Sequence, residues 1–336
     1  MAITVPSFAK INLGLRIGAL RPDGFHELRT VYQTIALHDI ISVSVGRGSG
    51  IEIRCNDSRV PTDESNTCYR IVERAMVELK ATGRVVIEIE KRLPVQGGLG
   101  GASGNAVATL LALERASKKE MSAPARLRIA AEVGSDLPLF LVGGTILGAG
   151  RGEEVYPVPD LPAIPCVVAT PEIGVSTPKA FADWDLLVSR GPQVTDKLTR
   201  PVASDRMSEF GRVLSAWLSS QSQSKYKPGR ALSGVPVSKG RGRAETPLLD
   251  LVRTGIENDF EQVVFPKCPE LREVKRVLVS AGAVYASLSG SGSATYGLFA
   301  SREAAVKAAA RLRKDGIPAT ATTTLTRPQY WKKIFD

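Results

Sequence analysis

The sequence predicts a two-domain α+β fold, and three features carry that prediction. Residues 1–55 open the chain with short apolar/polar alternations such as "TVYQTIALHDIISVSVG" and "GIEIRC", the period-two signature of half-buried strands. A bare, glycine-rich stretch, "PVQGGLGGASGNAVATLLAL" at 94–113, then runs from a strand pattern straight into a helix pattern. Beyond residue 160 a βαββα alternation follows, typical of split ferredoxin-like layers. Pro157, Pro159, Pro162 and Pro165 crowd four prolines into nine residues. They mark a junction near 160 that divides the chain into domains 1–160 and 161–336.

Taken in order, the opening strands are joined by turns at Arg21-Pro22-Asp23-Gly24 and at Gly46 to Gly50. "DESNTCYRIVERAMVELKATG" reads as a helix with Asn66 as N-cap, Ile71, Ala75 and Leu79 on one face, and Gly83 as its end. "RVVIEIEKRLP" is a strand feeding the glycine loop, and Asn105 to Lys118 is the helix after it. The next stretch gives a helix from "APARLRIAAEV", a short second helix opened by Ser135-Asp136, and strands. Past the junction come the strand "CVVATP", the helix "PELREVKRVLVSAGA", two strands around a Ser/Gly turn in "VYASLSGSGSATYGLFA", and a helix from Arg302 to Lys314. No repeat with a period of 20 to 50 residues is visible.

A glycine-rich entry to a helix leaves backbone N–H groups and the positive dipole end uncovered, which suits phosphate, although a plain turn uses the same residues. The common nucleotide loops do not fit. Gly101, Ala102, Ser103 and Gly104 supply no Gly-Lys-[Ser/Thr], and no glycine triplet between Gly97 and Gly104 has the dinucleotide spacing.

Composition narrows the function classes. Hydrophobic residues make up 43% and aromatics 6%, which argues against a disordered chain and against an aromatic platform for single-stranded nucleic acid. The net charge of +10 is uneven: residues 221–243 hold six basic residues and no acidic ones, leaving +4 for the rest. That Ser/Gly/Pro-rich stretch reads as a solvated loop, with an anionic partner as the alternative. Leu137 to Gly150 is uncharged for 14 residues, too short to span a bilayer. No basic leader precedes an apolar run at the N-terminus, so a cytoplasmic protein without membrane attachment is expected. Cys55, Cys68, Cys166 and Cys268 form no C-x-x-C pair and fit reduced thiols. With only His26 and His38 in the chain, a histidine-rich metal site is excluded, and no G-x-S-x-G elbow accompanies them.

Three segments stand out together: "PSFAKINLGLRIGALRPDGFHELRTVYQTIALHD" from Pro6, the glycine loop at 94–110, and "SLSGSGSATYGLF" at 287–299. With them in this order the sequence resembles the GHMP small-molecule kinases over nearly its whole length, apart from roughly 185 to 250. A-K-I-N-L followed by R-x-D-G-[YF]-H is the more specific part, and it resembles the branch that acts on 4-diphosphocytidyl-2-C-methyl-D-erythritol. The resemblance implies an N-terminal domain like ribosomal protein S5 domain 2 and a ferredoxin-like C-terminal domain. It implies ATP with its phosphates on Pro94, Gly97, Gly98, Leu99, Gly100, Gly101, Ala102, Ser103, Gly104 and Asn105, Mg²⁺, and transfer of the γ-phosphate to the C2 hydroxyl of the acceptor. Nothing in it calls for nucleic acid, and monomer and homodimer both remain open.

The same resemblance assigns catalysis to Lys10 and Asp136: the aspartate takes or orients the acceptor's proton, and the lysine faces the transferring group. Asn12, Phe25, His26, Thr177 and Phe181 would shape the acceptor pocket, and Ser289 to Ser293 would be a wall closing the active site. Each has a plainer reading. Asp136 is also placed to cap a helix, Lys10 to sit in solvent, Phe25 and Phe181 to fill core, His26 to finish a turn, and Ser289 to Ser293 to join two strands. Two residues depart from the family pattern: Gly104 stands where a second serine is usual, and Phe25 where a tyrosine is. The first leaves Ser103 as the hydroxyl for Mg²⁺ or phosphate, and the second keeps a stacking face without its polar handle. Rival readings are a GHMP kinase for another small alcohol, such as mevalonate or homoserine, and a non-catalytic RNA or protein binder. The R-P-D-G-F-H segment argues against the first, and the intact pair Lys10 and Asp136 against the second.

Overall fold

The structure is a computed structural model that describes residues 1–189, 207–212, 214–215 and 256–336. The basic stretch 221–243 lies outside the described residues.

Two long strands organise the N-terminal half. β1 (Ile3–Leu20) and β2 (His26–Gly46) pair antiparallel along almost their full length around the Arg21–Gly24 turn. β2 then serves two further partners, β4 (Arg84–Glu90) through Ile40–Gly46 and β5 (Thr145–Ala149) through Thr30–Gln33. β3 (Ile51–Cys55) pairs parallel to β4, and β6 (Glu154–Pro157) extends the sheet beyond β5. One face is covered by α1 (Thr67–Glu78), α2 (Gly101–Ser117), α3 (Ala123–Val133) and the single turn α4 (Leu137–Phe140).

Asn66 caps α1 as its sequence predicts, accepting from the Cys68 N–H. The helix stops at Glu78, short of Gly83, because Lys80 takes a left-handed φ of 47°. α2 differs more: it starts at Gly101, four residues before the expected Asn105. Glycines are poor helix formers, but here they lie against β1, where a Cβ on Gly104 would come within 2.8 Å of the Phe8 carbonyl oxygen. Packing overrides propensity.

The C-terminal half contains β7 (Pro165–Ala169), α5 (Thr177–Ser189), α6 (Glu261–Lys267), α7 (Pro269–Ser280), β8 (Tyr285–Leu288), β9 (Thr295–Leu298), α8 (Arg302–Lys314) and β10 (Ala319–Thr323). Its four strands run antiparallel in the order β10-β7-β9-β8, the ferredoxin-like arrangement. The sequence pattern had ended at βαββα; β10, "ATATT", closes it.

A last helix, α9 (Arg327–Phe335), does not stay with the second domain to which a boundary at 160 assigns it. Tyr330 and Ile334 enter the core of the N-terminal half, and the Tyr330 hydroxyl donates to the Phe140 carbonyl at 2.7 Å. The halves also share an apolar core in which Ile11, Leu13 and Val31 pack with Val168, Tyr296 and Leu298. That shared core presses the ferredoxin-like sheet against β1 and sets the walls of the cleft described next.

Candidate active site

Residues two apart on a strand share a face, so Lys10 and Asn12 on β1 point the same way. Lys10 Nζ donates to Asn12 Oδ1 at 2.8 Å, Asn12 Nδ2 to Thr30 Oγ1 at 2.8 Å, and Thr30 to the Gly14 carbonyl at 2.6 Å. This chain of bonds holds a lysine only 3% exposed, which a solvated surface lysine would not be. The same ammonium meets Asp136, whose Oδ2 lies 3.4 Å from Nζ. Asp136 precedes α4, yet its side chain makes no capping bond. Instead Oδ1 accepts from the Tyr32 hydroxyl at 3.0 Å. The carboxylate is a third exposed where the lysine is buried, so the pair opens to the cleft through the acid.

The glycine loop passes directly beside this pair. The Lys10 N–H donates to the Leu99 carbonyl at 3.0 Å, and a Cβ on Gly100 would sit 3.0 Å from Lys10 Cγ. Gly100 begins α2 in the left-handed region, with no side-chain cap and no acid in the first turn. The first N–H groups of a helix have no partner within it, so the loop presents uncapped donors and an uncompensated dipole end. Gly101 to Gly104, with the buried Asn105, form that first turn, and Asn105 Oδ1 has no hydrogen-bond partner.

A cavity of about 320 Å³ opens between the loop from Pro94 to Ser103 and the segment that leads into α1, with Arg59, Pro61, Asn66 and Lys91 on its wall. Lys91 is buried and pairs with Asp39 at 2.7 Å. Asp39 also accepts from the backbone of Arg92 and Leu93, each at 2.7 Å. It therefore pins the strand exit from which the loop departs. A Cβ on Gly101 would lie 3.3 Å from Lys91 Nζ, so a second cation stands at the helix start. Cys68 also faces this cavity; burial pushes its thiol up to about 12, and it is an inert wall rather than a nucleophile. A larger groove of about 620 Å³, lined by residues of α2, α3 and α9, lies away from the glycine loop.

The turn between β8 and β9 closes the other side. Ser289 Oγ donates to the Gly98 carbonyl at 2.9 Å, and the Ala294 N–H to the Gly97 carbonyl at 3.1 Å. Asn258 holds the turn through the carbonyls of Leu288 and Gly290 at 2.9 and 2.7 Å. The hydroxyls of Thr177 and Ser291 lie 2.7 Å apart. A glycine turn that merely joined strands would make no such bonds to a loop almost 200 residues earlier.

Of the expected acceptor residues, His26 and Phe181 come together, with ring centroids 5.0 Å apart and planes 6° from parallel. His26 Nε2 lies 2.8 Å from Asp185 Oδ1, and Phe181 stands edge-on to Phe260 at 4.9 Å. Phe25 is set apart: it is half exposed, and the Arg151 guanidinium lies 4.9 Å above its ring.

The chain also matches known proteins. Residues 66–144 match the family GHMP kinases N terminal domain, and residues 245–317 match GHMP kinases C terminal. A 4-diphosphocytidyl-2-C-methyl-D-erythritol kinase of Solibacter usitatus (strain Ellin6076) is 37% identical over 309 residues, covering 92% of this chain and 85% of the relative. The chain belongs to the 4-diphosphocytidyl-2-C-methyl-D-erythritol kinase family. A second member, from Acaryochloris marina (strain MBIC 11017), is 33% identical and covers 93% of this chain and 92% of its own. The crystal structure of a 4-(cytidine 5'-diphospho)-2C-methyl-D-erythritol kinase superposes with a TM-score of 0.68 at 29% identity, covering 96% and 99% of the two chains. A homoserine kinase from Cytophaga hutchinsonii has the same TM-score at 22% identity and shares the fold alone.

Within this kinase family member, the Gly104 departure has a steric companion. A side chain there would meet the Phe8 carbonyl at 2.8 Å and Ser7 Oγ at 3.0 Å, so this chain has no room for the usual serine without moving β1. Sequence reasoning missed Tyr32, Asp39, Lys91 and Asn258. For Asp39 the signal was present, an acid inside an apolar strand pattern; for the others nothing local announces the partner. Gly98 provides a test of the loop's seat. At φ +72° its Cβ would collide with the Ser289 carbonyl oxygen and lie 3.0 Å from that of Gly292. Gly98→Ala is expected to destabilise the protein by about 2 kcal/mol and to raise KM for the nucleotide, checked by thermal melting and initial rates. An unchanged melt and KM would mean that the turn does not seat the loop.

Proposed function

We propose that this kinase transfers the γ-phosphate of ATP to the C2 hydroxyl of 4-diphosphocytidyl-2-C-methyl-D-erythritol, giving the 2-phosphate and ADP in the non-mevalonate route to isoprenoid precursors. The observation that carries the reading is the contact of three things: an uncapped glycine-loop helix start, a buried lysine packed against it and an aspartate, a third exposed, 3.4 Å from that lysine. Phosphoryl transfer needs positioning and charge stabilisation more than covalent help. The loop amides and Lys91 receive the nucleotide phosphates, and the 320 Å³ cavity beside them takes the base. Asp136 accepts the acceptor's proton as its oxygen attacks phosphorus, while Lys10, 3.4 Å from that carboxylate, faces the moving phosphoryl group.

The residues present fit Mg²⁺. Asn105 Oδ1 is a buried oxygen without a partner, and the Ser103 hydroxyl, two residues earlier and so on another side of α2, would meet the phosphates instead. No cluster of three His, Cys, Asp or Glu exists among the described residues; Mg²⁺ bound with a nucleotide would take much of its coordination from phosphate oxygens and water. When bound, the ion supplies charge neutralisation on the phosphates.

On the acceptor side, Asn12, Thr177 and the stacked pair His26 and Phe181 line the approach to Asp136, with the half-exposed Phe25 as an outer aromatic face. No helix among the described residues is long and apolar enough to cross a membrane. The reading is tested by ADP release with an acceptor panel. Turnover is expected with 4-diphosphocytidyl-2-C-methyl-D-erythritol, and rates at least a hundredfold lower with mevalonate and homoserine. Equal or better turnover of either alternative would overturn the substrate assignment while leaving the kinase intact.

A further inference from the structure

We propose that Tyr32 is a positioning residue for Asp136, tying one carboxylate oxygen to the protein and leaving the other for the acceptor hydroxyl. The inference rests on Asp136 being the base. Tyr32 sits on β2 at 2% exposure, and its hydroxyl reaches Asp136 Oδ1 at 3.0 Å across 104 residues of sequence. The space it occupies is kept free by two glycines, Gly148 on β5 and Gly152 in the turn that follows. A Cβ on Gly152 would lie 2.5 Å from the phenol oxygen, and one on Gly148 would enter the ring. Lys10 Nζ stands 5.6 Å over the same ring, so lysine, tyrosine and aspartate from three elements pack as one group.

The direction of the bond is fixed. Burial first, then the Asp136 charge and its hydrogen bond, then Glu153 from the neighbouring turn, hold the phenol's pKa well above its ordinary range. Tyr32 is therefore always protonated and always the donor to a carboxylate that can only accept. With Oδ1 engaged, Oδ2 is the oxygen beside Lys10 Nζ, and among the described residues the carboxylate has no capping bond to turn it elsewhere. In the transfer, the acceptor oxygen forms its bond to the γ-phosphorus, the bond to the β-bridging oxygen breaks with its electron pair going to ADP, and the acceptor proton moves to Oδ2. Tyr32 keeps its own proton and its bond to Oδ1 throughout. Without the hydroxyl the carboxylate rotates about its terminal torsion, and misplacement of a base costs rate rather than affinity.

The test is a double-mutant cycle with Asp136→Asn. Tyr32→Phe removes one oxygen and keeps the ring; kcat is expected to fall about tenfold with KM for both substrates within twofold. On the residual turnover of Asp136→Asn, the same change is expected to do nothing further. If Tyr32→Phe folds poorly, the rates are read below its melting temperature and per folded molecule, and kcat is again the constant that falls. Wild-type kcat in Tyr32→Phe, or a loss that adds fully to that of Asp136→Asn, overturns the inference. If Asp136→Asn itself keeps its turnover, the base assignment has failed instead, and the two failures are told apart by that single variant.

Discussion

Asp136→Asn is expected to remove nearly all turnover while leaving the affinity for both substrates within a few-fold. The amide preserves the shape of the side chain and can still accept from Tyr32 through its oxygen, so the packing around Oδ1 at 3.0 Å survives. What it loses is the charge facing Lys10 at 3.4 Å and the capacity to take a proton. General-base catalysis contributes on the order of 10² to 10⁴ in rate, so kcat should fall by that range, read from initial rates at saturating substrate. Retention of more than about a tenth of the natural kcat would falsify the base assignment.

Lys10→Ala should be similarly severe in rate, with an added cost in stability that Asp136→Asn does not carry. The lysine is 3% exposed and its ammonium donates to Asn12 Oδ1 at 2.8 Å. Truncation leaves that buried amide oxygen without its donor, a loss of about 1 to 3 kcal/mol. It also removes the positive charge next to the transferring phosphoryl group, where preorganised electrostatics give most of their benefit in the transition state. Both changes are measurable: kcat should drop by roughly 10² or more, and the melting temperature should fall. A variant that melts lower yet turns over normally would confine Lys10 to a structural part.

How much of this was legible beforehand depends on whether the cause is local. The turn at Arg21-Pro22-Asp23-Gly24 and the cap at Asn66 announce themselves, because one or two residues dictate the backbone there. The start of α2 does not, since glycines that weaken an isolated helix are required where Gly104 meets the Phe8 carbonyl. The proline cluster near 160 does mark where one sheet ends and the next begins, between β6 and β7. It says nothing of α9, whose Tyr330 returns to the first core. β10 escaped because a threonine-rich edge strand lacks the apolar alternation that marks the others.

In the site, Lys10, Asn12, Asp136 and the glycine loop were singled out through resemblance to a kinase family, and in the structure Lys10 bonds to Asn12, lies 3.4 Å from Asp136 and meets the loop at Leu99. Tyr32 and Lys91 were not. Their partners Asp136 and Asp39 lie 104 and 52 residues away, and a polar residue on a strand reads the same whether it faces solvent or an ion. Phe25 and Phe181 look alike in sequence, yet one is half exposed beneath Arg151 and the other is stacked on His26. Only the course of α5 separates them.

The most direct measurement is a proton-coupled ³¹P NMR spectrum of the product formed from ATP and 4-diphosphocytidyl-2-C-methyl-D-erythritol. The C2 hydroxyl is tertiary, so a phosphate placed there has no hydrogen on the carbon that bears it. The account predicts intact diphosphate resonances and one new phosphomonoester singlet, appearing in step with ADP. A phosphomonoester split by protons, or free phosphate appearing with ADP and no new ester, would contradict it.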